Sequence, residues 1–148
     1  MPGFLYDSSI WVALTFAAHP HHDRAGEHVK ESSKDQRIYR IRATELSALR
    51  LITTPAIHRA FGVPNFSRTE AIAFLTSLFE KTGSVEIEEP RDARRLWLRL
   101  ADRNIAAPKV WMNAYLAAVA ISGGFDFVTS DRDFQRFTTE GLSVVLIG

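Results

Sequence analysis

The chain has 148 residues, 46% hydrophobic and 24% charged, with a formal net charge of +1. That is one globular domain's worth, residues 1–148, able to bury roughly 70% of its unfolded surface without a cross-link. The absence of cysteine excludes a disulfide scaffold and thiolate zinc sites, and the near-neutral balance gives no bulk attraction to nucleic acid, leaving only a local patch or a bound cation to handle phosphates.

The first residues carry no basic run, and Asp7 interrupts the apolar stretch, so no signal peptide is expected. The longest apolar stretch, Ala114 to Ile121, falls far short of the ~20 residues of a membrane span. A soluble, cytoplasmic protein is expected.

Phe4–Tyr6 reads as a buried strand. Ser8 or Ser9 is placed to cap a helix carrying Ile10, Trp11, Leu14 and Phe16. His19-Pro20-His21-His22-Asp23 reads as a turn, Asp23 as the cap of a helix over about 24–31, and 32–36 as a polar loop. Arg37–Ala43 alternates basic and apolar residues, a strand pattern. Thr44 is then placed to cap a helix with Glu45, Leu46, Leu49 and Leu51, which Pro55 ends. Residues 56–66 read as loop. Ser67 with Glu70 is a capping box for a helix with Ile72, Leu75, Leu78 and Phe79, stopped at Gly83. Val85–Glu88 reads as a short strand. Pro90 precedes a helix with Leu96, Trp97 and Leu100, and Pro108 opens another that runs to about Ile121 before Gly123-Gly124. Phe125–Thr129 and Leu142–Ile147 read as strands. The alternation predicts an α/β fold in three layers, α/β/α, with a central, mostly parallel sheet.

In an open parallel sheet, ligands bind beyond the carboxyl ends of the strands. Asp7 and Asp131 directly follow predicted strands, Glu45 opens the helix after one, and Asp133 lies two residues past Asp131. Taken singly, each acid is as well explained as a helix cap. Together they suggest carboxylates converging on a divalent cation. Oxygen ligands favour Mg²⁺, with Mn²⁺ as a substitute, and such ions promote in-line phosphoryl displacement. The implied chemistry is phosphodiester hydrolysis. An aspartyl phosphatase is disfavoured, because position 9, two after Asp7, is Ser where D-x-D is usual.

Several segments resemble the motifs of PIN-domain toxins of the VapC type. Leu5-Tyr6-Asp7-Ser8-Ser9-Ile10-Trp11-Val12-Ala13-Leu14 is similar to the first, Arg42-Ala43-Thr44-Glu45-Leu46-Ser47-Ala48-Leu49-Arg50-Leu51-Ile52-Thr53 to the segment with the second acid, Trp111-Met112-Asn113-Ala114-Tyr115-Leu116-Ala117-Ala118 to the third and Val128-Thr129-Ser130-Asp131-Arg132-Asp133-Phe134 to the fourth. His19 to Ala25 is similar to the loop and helix that follow the first motif in one branch. The resemblance spans almost the whole chain. It implies a PIN-like fold and a magnesium-dependent endoribonuclease toxin acting on structured RNA such as transfer RNA. It further implies a homodimer neutralised by a small VapB-like antitoxin.

On this reading Asp7, Glu45, Asn113 and Asp131 are the catalytic residues, with Asp7, Asp131 and Asn113 on the metal and Glu45 orienting the water. Asn113 stands where the family has Asp. Asn is uncharged and ligates a hard cation more weakly, so an attenuated enzyme is expected, whether Asn113 is natural or was introduced to silence a toxin. A non-catalytic RNA- or protein-binding module on the same fold is the alternative. Ser9 is either a cap or a partner of the metal ligands or substrate. Asp133 is a peripheral ligand or a partner of Arg132. Arg42 and Arg50 flank Glu45 and are phosphate contacts or solvated arginines. The His19, His21 and His22 spacing suits a polar turn better than a metal site, and Trp11, Trp97 and Trp111 suit core or dimer packing.

Overall fold

The structure, a computed structural model, describes residues 3–102 and 107–148, apart from the side chains of 33–35. Its strands are β1 (Phe4–Tyr6), β2 (Ile38–Arg40), β3 (Val85–Glu86), β4 (Asp126–Thr129) and β5 (Ser143–Leu146). Its α-helices are α1 (Ser8–Thr15), α2 (His22–Asp35), α3 (Arg42–Ile52), α4 (Pro55–Ala60), α5 (Arg68–Thr82), α6 (Ala93–Ala101) and α7 (Val110–Gly123). A 3-10 helix covers Arg132–Glu140. All strand pairs are parallel, in the order β3-β2-β1-β4-β5.

The layering follows from strand alternation. Leu5 and Phe127 point to one face of the sheet, where α6, α7 and the 3-10 helix cover them. Tyr6 and Val128 point to the other and meet residues of α1, α2, α3 and α5. Helix α1 is buried nearly all round: Ile10, Trp11 and Ala13 are inaccessible, and the Trp11 ring meets Phe79 of α5 edge-on at 4.9 Å. In α7, Ala114 and Ala117 to Ala120 are buried, and their small side chains let the helix lie close to the sheet. Among the described residues no helix is long and apolar enough to cross a membrane.

Several boundaries differ from the sequence reading. Helix α2 continues to Asp35, where a loop from residue 32 was expected, because Ser32 is buried and its hydroxyl donates to Val29 O at 2.9 Å. Its N-cap is His21 and not Asp23. Strand β2 stops at Arg40, and α3 begins at Arg42. Ala48 and Ile52, four apart, bury a helical stripe that outweighs the two-residue alternation. Thr44 lies inside the helix and donates to Ile41 O at 2.8 Å, so it is not the cap. Pro55 both stops α3 and occupies the first turn of α4, where a loop was expected, since its fixed φ suits a helix start. The 3-10 helix was not anticipated. It buries Phe134 and Phe137, three apart, a spacing that such a helix aligns on one face. The Ser67–Glu70 capping box and the left-handed Gly83 and Gly124 match the expectation.

The β1–β2 pairing depends on Gly3. A Cβ there would stand 2.1 Å from the Arg37 carbonyl oxygen, and that carbonyl accepts the Phe4 N–H at 2.8 Å. Gly3→Ala should therefore destabilise the chain by about 1–3 kcal/mol, measurable by urea unfolding. Unchanged stability would show that the strand ends separate freely.

Candidate active site at the switch point of the sheet

From β1 the chain winds outward through β2 and β3, then returns to the other side of β1 for β4 and β5. The carboxyl ends of β1 and β4 therefore flank the topological switch point, where doubly wound sheets bind ligands. The register pairs Tyr6 with Val128, and the Asp7 N–H donates to Val128 O at 2.9 Å. Asp7 is thus level with Thr129, two residues before Asp131.

Asp7 is the N-cap of α1, a position expected for Ser8 or Ser9. Its Oδ1 accepts from the Ser8 backbone N–H at 2.8 Å. Its Oδ2 accepts from Ser9 Oγ at 3.0 Å and Thr129 Oγ1 at 2.7 Å. Ser9 Oγ in turn accepts the Ser130 N–H at 3.1 Å, and Thr129 Oγ1 accepts the Asp131 N–H at 3.0 Å. Asp131 caps the 3-10 helix, its Oδ1 accepting the Asp133 N–H at 2.9 Å. Cap and site are therefore the same residues. Thr129 was missed by the sequence reading, although a threonine at a strand end just before a candidate acid was a usable signal. Ser9 bonds the Asp7 carboxylate and does not cap.

Burial raises the Asp7 pKa above its ordinary value. Hydrogen bonds from Thr129, Ser9 and Ser8 oppose that rise, and the nearby Asp131 charge adds to it. The Asp131 Oδ2 accepts from Lys109 Nζ at 3.3 Å, and the same ammonium lies 2.7 Å from Asp133 Oδ2. Asp133 is thus a partner of Lys109 rather than of Arg132. Lys109 precedes α7, and the Asn113 N–H donates to its carbonyl at 3.0 Å, so Asn113 lies one helical turn beyond Lys109. That four-residue spacing is the signal by which Lys109 could have been found.

Glu45 reaches the same sheet edge from the first turn of α3, but it is engaged by Arg42 at 3.1 Å, which also holds Glu86 at 2.7 Å. Among the described residues, no three His, Asp or Glu side chains form a group able to hold one ion. What converges is the Asp7–Asp131 pair. Two carboxylates with neutral oxygens nearby fit Mg²⁺, which keeps several of its own waters. Asp131 already draws one cation, the Lys109 ammonium.

Arg50 lies roughly 7 Å further along α3 than Glu45. It lines a groove with Leu46, Leu49, Arg68 and Ile72 instead of the acidic edge. The histidines form a turn with internal bonds, His21 N–H donating to His19 Nδ1 at 3.0 Å and His22 Nδ1 donating to Ala13 O at 2.8 Å. Trp11 is core, while Trp111 is 57% exposed.

Asp7→Asn should raise the melting temperature of the metal-free chain at pH 7, by about 2–4 °C per kcal/mol recovered. With a native pKa above 3.8, wild-type stability falls as pH rises through it, so the advantage of Asn should shrink toward pH 4. A pH-independent difference would mean that the carboxylate carries no such cost.

The PIN domain family matches residues 4–139. Ribonuclease VapC41 of Mycobacterium tuberculosis is 37% identical over 134 residues, covering 90% of this chain and 92% of that protein. The fold superimposes on VapBC2 from Rickettsia felis, solved with promoter DNA, at a TM-score of 0.70 and 12% identity, covering 99% of each chain. For VapC20 of M. tuberculosis, a sarcin-ricin loop cleaving toxin, the TM-score is 0.64 at 18% identity, covering 94% of this chain and 95% of that one. The chain belongs to the PIN-domain family, in its VapC toxin branch.

Proposed function

We propose that the chain is a magnesium-dependent endoribonuclease, the cytoplasmic toxin of a toxin–antitoxin pair, attenuated by Asn113. The observation that carries this reading is the Asp7–Asp131 pair at the switch point, its oxygens oriented by Ser9, Thr129 and backbone N–H groups. Asp7, Asp131 and Asn113 would hold the ion, and Mn²⁺ would serve in place of Mg²⁺. A bound Mg²⁺ supplies Lewis acidity and charge neutralisation at a scissile phosphate. Glu45, fixed by Arg42 at the same edge, orients the attacking water and accepts its proton. Ser9 and Thr129 hold the Asp7 carboxylate in one rotamer. The likeness to VapC20, a sarcin-ricin loop cleaving toxin, supports structured RNA as the substrate class, with transfer RNA one member of it.

Incubating folded RNA with Mg²⁺ tests this reading. Asn113→Asp should give discrete fragments, abolished by EDTA and by Asp7→Ala, and the chain as it stands should cut about tenfold or more slowly. RNA left intact by both forms would favour the non-catalytic binding module, which Asn113 alone supports.

The antitoxin is proposed from likeness to VapBC complexes. The groove between α3 and α5, where Leu46 and Ile72 are exposed beside Arg50 and Arg68, suits an amphipathic segment bearing carboxylates. A homodimer is supported by the exposed Leu98, Trp111 and Met112 on α6 and α7. Trp111→Glu should reduce the mass measured by light scattering from dimer to monomer; a variant that stays dimeric would move the interface elsewhere.

A further inference from the structure

Every carboxylate oxygen of Asp7 and Asp131 already accepts a hydrogen bond. Three of the four oxygens are served by donors from the strand ends and helix starts that frame the site. Among the described residues, the fourth, Asp131 Oδ2, is served only by the Lys109 ammonium, at 3.3 Å. A cation that comes to Asp131 therefore meets Lys109 first.

Lys109 sits where local physics disfavours it. It is the N-cap residue of α7, with no side-chain cap bond. Helix N-termini carry partial positive charge and favour acids. A lysine there is compensated by what it touches, Asp131 at 3.3 Å and Asp133 at 2.7 Å. Its side chain is 61% exposed, and Asp133 is 42% exposed. A solvent-exposed pair of this kind holds weakly and exchanges readily. The contact is not a structural clamp, and the shorter of its two arms leads away from Asp131.

We propose that Lys109 is a tethered counter-cation that competes with the divalent ion for Asp131, and that Asp133 retains its ammonium at the rim when the ion arrives. Lys109 is then a positioning residue: it acts through Asp131 and sets how tightly the site takes metal. Asp133 acquires a role other than ligation. Asn113, one helical turn beyond Lys109, is neutral where the family has Asp, and if it faces the ion it weakens the site in the same direction as Lys109. The inference rests on the proposed metal role of Asp7 and Asp131.

The test is Mn²⁺ binding, followed by the electron paramagnetic resonance signal of the free ion, to the whole chain as it stands and with Asn113→Asp. In each background Lys109→Met should tighten Mn²⁺ roughly three- to tenfold, since a unit charge beside the ion is removed in a solvated cleft. Lys109→Arg, which keeps the charge, should stay near the parent affinity. Added Mg²⁺ should displace Mn²⁺ from all of them, and Asp7→Asn should abolish the tight phase. If Lys109→Met binds no more tightly than the parent while Asp7→Asn still abolishes binding, the metal site stands and the role of Lys109 is overturned. Should no variant show Mn²⁺ binding that depends on Asp7, the metal reading and this inference fall together.

Discussion

The burial of one carboxylate is the constraint around which the site is organised. Asp7 is 5% exposed at the end of the central strand, and a charge there is tolerable only if its oxygens are filled with donors. Those donors come from the next two residues of its own chain and from Thr129, more than a hundred positions away. The β1–β4 register brings Thr129 level with Asp7, and the Thr129 hydroxyl passes the connection on by accepting the Asp131 N–H. Satisfying Asp7 and placing Asp131 are thus one event. A slip of the pairing would leave a buried charge unpartnered and disperse the candidate site together.

The charge of this edge is finely divided. Asp7 and Asp131 repel, and burial adds to the cost of charging Asp7. Lys109 relieves Asp131 and Asp133, and Arg42 occupies Glu45. Glu45, the third acid expected to join the pair, has its own cation, and Asn113 is a neutral amide where the family has Asp. The α3–α5 groove and the α6–α7 face expose Leu46, Ile72, Leu98 and Trp111 on opposite sides of the sheet.

Much of the architecture was legible because it rests on local rules. Apolar runs of strand length, the Ser67–Glu70 box and the glycines at 83 and 124 all act over a few residues, and each element they mark is present. Boundaries were misread where tertiary burial overrode a local pattern. Ser32 packs inward and extends α2, the buried stripe of Ala48 and Ile52 starts α3 early, and two phenylalanines drive a 3-10 helix that no periodicity announced. Asp7 and Asp131 were visible as acids after strands, and the structure makes them helix caps as well.

By itself, the sequence determined the α/β alternation, the parallel sheet and the family, since hydrophobic period, turn residues and ordered motifs are properties of contiguous segments. Only the tertiary structure decided which acids share a neighbourhood. Asp7 and Asp131 meet through strand register, Glu45 is held by Arg42, Arg50 is carried down its helix to a different groove, and Lys109, unnoticed in the chain, lies on two carboxylates. The reason is physical: electrostatic and hydrogen-bond partners are chosen by distance in space, and that distance is set by how strands far apart in the chain align.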